Sequence, residues 1–243
     1  MKINLFIIVF LISNFTFAQM RVWEDKNGLQ IKGEFVREIF GSIEIRRPNG
    51  FLHNIAIEDL SEEDESYVRT LIPPEVSIDV KTSKKAKERN ERFIWAHNDI
   101  NIVSAETIIR KKSKSPYRGT LKAEVYLIGK EVVTDRYTLV DKTSSRIKFT
   151  DQNKGKVIVN SSGTFRVYEE YNNLEIRGWK YEGYLVVITD PLGNILSFKS
   201  DLNFLTDLNI PNIRKFHVGI FFDDNCVKKS VPRPRPHETH VHF

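Results

Sequence analysis

Apolar and polar residues alternate one for one along much of this chain, the spacing of strands with a single buried face. Leu29, Ile31 and Phe35 alternate with Gln30, Lys32 and Glu34. The pattern returns at Ile43 and Ile45, and again at Phe51, His53, Ile55 and Ile57. Asn27-Gly28, Gly41-Ser42 and Pro48-Asn49-Gly50 supply turn residues between these runs. After Leu60 the spacing changes. Ser61 is placed to cap a helix, the acidic Glu62, Glu63 and Asp64 suit its positive first turn, and Tyr67, Val68 and Leu71 give it an apolar side. Pro73-Pro74 stops it. Residues 21–72 therefore predict a small β module closed by one short helix. A chain of about 60 residues buries only about 60% of its unfolded surface, so Trp23, Phe35, Phe40 and Phe51 are expected to fill the core.

Strand signals resume behind Pro73-Pro74. Val76, Ile78 and Val80 alternate, and residues 81–92 follow with six basic and two acidic side chains and no apolar period, which reads as a hairpin tip or linker. Leu121, Ala123, Val125 and Leu127 alternate with Lys122, Glu124 and Tyr126; further strands are predicted near residues 137–140, 147–149, 157–159 and 165–168. Residues 184–188 are apolar without a break, as in a central strand buried on both faces. Leu202, Leu205 and Leu208 follow Ser200 at three-residue spacing and predict a short helix ended by Pro211; residues 216–222 predict a last major strand. Many short strands with turns between them predict an immunoglobulin-like β-sandwich over residues 75–230.

Residues 1–18 have the layout of a secretory signal: Lys2, an apolar run from 3 to 12 broken by Asn4, and Thr16-Phe17-Ala18 before the cut. The run is too short for a spanning helix, no later segment is long and apolar enough for one, and the mature chain is expected to begin at Gln19. Cys226, the single cysteine, excludes an intrachain disulfide and suits a small buried residue in a strand. Charge separates the two regions. Residues 21–72 carry 7 Lys and Arg against 11 Asp and Glu, a net of −4; residues 73–243 carry 29 against 21, a net of +8. The basic excess is spread thinly and lacks aromatic-basic signatures, so no nucleic-acid partner is expected.

Arg21-Val22-Trp23, Gly28, Gly33-Glu34-Phe35-Val36, Arg46-Arg47-Pro48-Asn49-Gly50, and Leu60-Ser61-Glu62-Glu63-Asp64 with Tyr67-Val68 resemble the Sla-homology domain. The resemblance implies an SH3-like small barrel over residues 19–74. The family takes its name from a fungal endocytic adaptor that binds short Asn-Pro-Phe-containing peptides, and it recurs in exported bacterial proteins. The segment 178–193 also looks like the C-terminal β domains that accompany it there. The expected fold is thus mainly β: a small SH3-like barrel followed by an immunoglobulin-like β-sandwich, then a Pro- and His-rich tail over residues 231–243.

Sequence motifs for catalysis are missing. There is no nucleophile elbow, zinc-protease helix, phosphate loop or dinucleotide fingerprint, and no cofactor is expected. Adjacent carboxylates at Glu169-Glu170 and Asp223-Asp224 point opposite ways on a strand. Five of the nine residues 110–118 are basic, as in a charged turn. His53, His97 and His217 stand alone; His237, His240 and His242 cluster in the tail, where chain entropy weakens metal binding and no metal site is assigned. The expected function is a non-enzymatic exported protein of the periplasm or extracellular space that binds a peptide or protein, with Trp23, Arg46, Arg47 and Phe51 as the candidate site. The alternative is an envelope carbohydrate-binding module or hydrolase with Trp95, Trp179 and Tyr181 as an aromatic platform.

Overall fold

A computed structural model describes residues 20–87, 98–170 and 175–230. The leader-like residues 1–18, residues 88–92 of the basic run and the tail 231–243 lie outside the described residues. The chain is mainly β and divides into two compact units, Met1–Ile72 and Pro73–Phe243.

The first unit is a four-stranded antiparallel meander, β1 (Arg21–Glu24), β2 (Gln30–Ile39), β3 (Ser42–Arg46) and β4 (Leu52–Ala56), followed by a 3-10 turn at Ile57–Asp59 and helix α1 (Glu62–Leu71). Ile31, Ile43 and Ile45 face inward, as their alternation requires. The described strands form an open sheet, not the closed barrel that the sequence predicts. Its inner face is covered instead by Leu60 and by Val68 of α1, packed with Trp23, Ile43 and Ile45. The Ser61 hydroxyl accepts from the Asp64 N–H at 3.3 Å and caps the helix. The Asp64 carboxylate accepts from Arg21 Nε at 2.8 Å and from the Glu24 backbone N–H at 2.6 Å, which fastens the start of α1 to β1.

Phe40 departs from expectation. It and Gly41 form the two-residue turn between β2 and β3, with φ of 48° and 79°. Two successive positive φ values match the twist of a tight hairpin, and glycine takes the second at no steric cost. The turn throws the Phe40 ring fully into solvent and out of the core.

The second unit contains β5 (Val76–Ala86), β6 (Asn98–Lys111), β7 (Leu121–Glu131), β8 (Tyr137–Ile147), β9 (Lys156–Glu170), β10 (Glu175–Thr189), β11 (Ile195–Ser200), the single-turn helix α2 (Ile210–Ile213) and the short β12 (Phe221–Phe222) and β13 (Lys228–Lys229). The order along the sheet is β13-β12-β8-β7-β10-β9-β6-β5, with β11 also on β10. β10 serves both halves: Glu175–Gly178 pair with β9, and its later residues pair with β7 on one edge and β11 on the other. The β5–β6–β9 layer and the β7–β8–β10 layer share a core in which Val103, Ile109 and Val159 meet Leu121, Val125 and Val186. The opposite face of the second layer, with Tyr126, Ile128, Leu185 and Val187, is sealed by Leu202, Leu205, Ile210, Ile213 and Phe222. Residues 185–188 are therefore buried on both sides, which accounts for their unbroken apolar run.

Three local expectations are corrected. The leucine-spaced stretch forms turns, with Leu202 and Leu205 buried and Leu208 exposed; helix α2 instead begins at Ile210 with Pro211 in its first turn, where the missing N–H is no loss. The last strand shrinks to Phe221–Phe222 because Gly219, at φ 87°, turns the chain just before it. Cys226 lies in the turn between β12 and β13, at φ 54°, and not in a strand. It is buried all the same, and burial pushes its thiol up to about 12.

Candidate functional site

The β3–β4 hairpin end of the first unit gathers the exposed sequence candidates. Arg46 closes β3, paired with Glu34 of β2 on one side and Leu52 of β4 on the other. These three share the outer face of the sheet. The turn beyond is fixed by its backbone: Arg47 N–H donates to Phe51 O and Gly50 N–H to Arg47 O, both at 2.9 Å, and Asn49 Oδ1 accepts from the Phe51 N–H at 3.2 Å. By parity Phe51 belongs with His53 and Ile55, whose partners Ile45 and Ile43 point inward. It lies one residue past the last paired position, however, so nothing covers it and 72% of it is exposed. Leu52 is half exposed beside it. Arg46 and Arg47 are both exposed, and neither side chain has an ion-pair or hydrogen-bond partner among the described residues.

Trp23 is not on this face. Its side chain is 1% exposed, its indole N–H donates to Gly33 O at 3.0 Å, and its ring lies 5.9 Å from that of Tyr67. It is the centre of the unit's core and has no surface to offer a peptide. The site thus reduces from four residues to Arg46, Arg47 and Phe51, joined by Leu52, which period-two reasoning assigns to the solvent face without marking it as a contact. Two adjacent guanidiniums can each fork onto a carboxylate, and two neighbouring apolar side chains offer a dry footing.

The other candidates are engaged elsewhere. Trp179 and Tyr181 pack partly buried against the interlayer core, with Tyr181 edge-on to Phe165 at 5.4 Å and Trp179 edge-on to Phe221 at 6.3 Å. Neither presents an open ring as a platform, and Trp95 lies outside the described residues. In the 110–118 cluster, Arg110 pairs with Asp79, and Lys112 with Glu75 at 3.4 Å, so part of that charge stays within the sheet. Asp223 accepts from the N–H groups of Asn225 and Val227 and pairs with Lys229 at 2.8 Å, a turn-forming role. The side chains of Glu169 and Glu170, together with His97 and the tail histidines, lie outside the described residues. His53 and His217 are not brought together with other ligands: no group of three or more His, Cys, Asp or Glu that could hold a metal occurs among the described residues. No helix among them is long and apolar enough to cross a membrane.

One buried charge escapes the sequence reading. Glu124, on β7, is almost fully buried, and its carboxylate accepts from Arg214 Nε and Lys122 Nζ, each at 2.9 Å. Burial alone would push its carboxyl up, but the two cations outweigh it and hold the group below the usual glutamate range. Lys142 Nζ donates to the carbonyls of Arg214, at 2.6 Å, and Phe216, at 3.3 Å. This network ties the segment after α2 to the sheet and is structural. No protein-family model matches the chain, and no curated protein is found similar to it.

Proposed function

We propose that this chain is a non-enzymatic exported protein of the cell envelope that captures an acidic peptide, or an acidic segment of another protein, through the Arg46-Arg47-Phe51-Leu52 corner of its first unit. One observation carries the reading: two neighbouring guanidiniums are exposed and unpaired beside two exposed apolar side chains. Unpaired charge next to uncovered apolar surface is what a recognition corner holds before its partner arrives. The resemblance to the Sla-homology domain supports a peptide as the ligand, and the leader-like residues 1–18 support export. Exposed ion pairs are worth about 0–1 kcal/mol each, so binding should be weak and should fall as salt rises.

The experiment is titration of the purified protein with acidic Phe-containing peptides at low and high salt. Saturable, salt-sensitive binding is expected, and it should disappear in an Arg46→Ala/Arg47→Ala variant that keeps its native melting temperature. Binding that survives the double substitution, or no binding at millimolar peptide, removes this corner as the site.

A further inference from the structure

The second unit contains a cleft of about 810 Å³ where β8 passes over the β5–β6–β9 layer. The side chains that face it are mostly hydroxyls: Thr82 and Ser161 from the three-stranded layer, and Thr143 beside Asp141 from β8. Strand register places these groups in rows across three neighbouring strands. Thr82, Ala105 and Ser161 form one row, and Ser83, Ser104 and Ser162 form the next, which points to the opposite face. The first row lies in the same column as Ile78, Ile109 and Val159, which fill the interlayer core. At this point the column changes from apolar to hydroxyl, and the space between the layers stays open.

A β-bulge brings the carboxylate in. Leu127 of β7 pairs with Asp141 while Ile128 pairs with Leu139, so Val140 is the extra residue on β8. Leu139 keeps to the far face with Ile128, but Asp141 now shares the face of Leu127, toward the interlayer space. A bulge re-aims side chains in this way. Gly163 on β9 permits the close crossing: a Cβ there would stand 3.1 Å from Val140 Cγ1 and 3.4 Å from Asp141 Cβ. Asp141 Oδ2 accepts from Thr143 Oγ1 at 3.1 Å and from Ser161 Oγ. No cation pairs with Asp141 among the described residues.

We propose that this cleft binds a neutral polyhydroxylated ligand, a short stretch of glycan. Each Ser or Thr hydroxyl can both donate and accept, which matches the alternating donors and acceptors around a sugar ring. The remaining capacity of the carboxylate takes a sugar hydroxyl as donor. Lys81 and Glu106 pair across the strands with their side chains on the opposite face of the layer, and the charge that faces the cleft is the Asp141 carboxylate, so the walls offer no cation to capture an anion. Ala105 alone lines it with an apolar side chain, so a hydrophobic ligand has no footing. The volume lies within the usual range of small-ligand sites, about 300–1,000 Å³. Recognition here uses hydroxyls and a carboxylate, not the stacking of rings on Trp179 or Tyr181.

The test is isothermal titration of the purified protein, with the cationic glucosamine tetramer as a control, against maltotetraose, cellotetraose and the N-acetylated chitotetraose. At least one should bind at millimolar concentration or below, with little dependence on salt. Ser161→Val should weaken that binding about tenfold by removing one hydroxyl and freeing a carboxylate lone pair. Thr82→Trp, at an exposed position of β5, should block the cleft. Arg46→Ala/Arg47→Ala should leave glycan binding unchanged, which separates this site from the peptide corner. No binding of any tetrasaccharide overturns the proposal, as does wild-type binding in Thr82→Trp. Salt-sensitive binding confined to the cationic glucosamine tetramer also overturns it, because the cleft would then be an ammonium site.

Discussion

Replacing Asp64 with alanine should loosen the first unit and leave the second intact. The side chain of Asp64 is 4% exposed and bonds to β1 twice. Its loss strands the partly buried Glu24 N–H, at about 1–3 kcal/mol for an unmet donor. The Arg21 pair is 28% exposed on the arginine side, so its share, after solvent screening, is about 1 kcal/mol or less. Arg21 also keeps other company, stacked 4.3 Å over the Tyr67 ring and 3.2 Å from Glu63. Loss of a negative charge in the first turn of α1 adds about 0.3–1 kcal/mol. The total comes to about 3 kcal/mol. A unit of this size holds together by about 3–8 kcal/mol, so the change removes much of its stability. Hydrogen exchange followed by mass spectrometry resolves the units. The slowest amides of β2 and β3 should exchange roughly a hundredfold faster, while β7 and β10 stay protected. Asp64→Asn, which keeps an acceptor for the Glu24 N–H, should fall between wild type and alanine. An acceleration under about tenfold, or equal acceleration in both units, would falsify the clasp.

Phe40→Asn should stabilise the first unit by about 0.5–1 kcal/mol, because asparagine tolerates positive φ and the exposed ring makes no core contact; a fall in melting temperature would count against the turn assignment. Glu124→Gln should destabilise the second unit at neutral pH. The carboxyl of Glu124 is held below its unfolded value, so its contribution is complete above the ordinary glutamate range and disappears as the pH falls through the lower folded value; the gap between variant and wild type in acid unfolding should close there, and a gap constant with pH would refute the ionic account. Cys226, buried and with its thiol pushed up to about 12, should react with a thiol reagent only as the unit opens; rapid labelling of the native protein would contradict the burial.

The strands were legible wherever a single face is buried. Ile43 with Ile45 announce their face by alternation, and the unbroken run at residues 184–188 announces burial on both, whereas Leu121 to Leu127 alternate although Glu124 and Tyr126 on their other face are buried as well. Single residues at element ends were not, because there the backbone overrides parity. Phe40 is turned outward by a left-handed backbone, and Phe51 lies one step beyond its paired strand. Leu208 carries the spacing of a helix that α2 starts too late to include. Trp23 shows the converse: an aromatic in a recognition-like motif is held in the core by α1, a contact between residues distant in sequence. The hydroxyl cleft needed registers across three strands and one bulge, none of which any local pattern encodes.

Because β10 belongs to both halves of the second unit, the sheet of the first half cannot be finished before Gly178 has been made, nor that of the second before Thr189. Val125 of β7 waits for Val186, and the β9 end of the first layer waits for Glu175–Gly178. Contacts between such distant positions are slow to form, whereas the first unit is a meander of near neighbours. Synthesis therefore imposes a sequence of assembly: the small unit is complete while the large one still exposes open strand edges, and those edges are the stage at which the protein is most vulnerable to self-association. Pulse-labelled exchange during refolding should record protection in β2 and β3 ahead of β7 and β9.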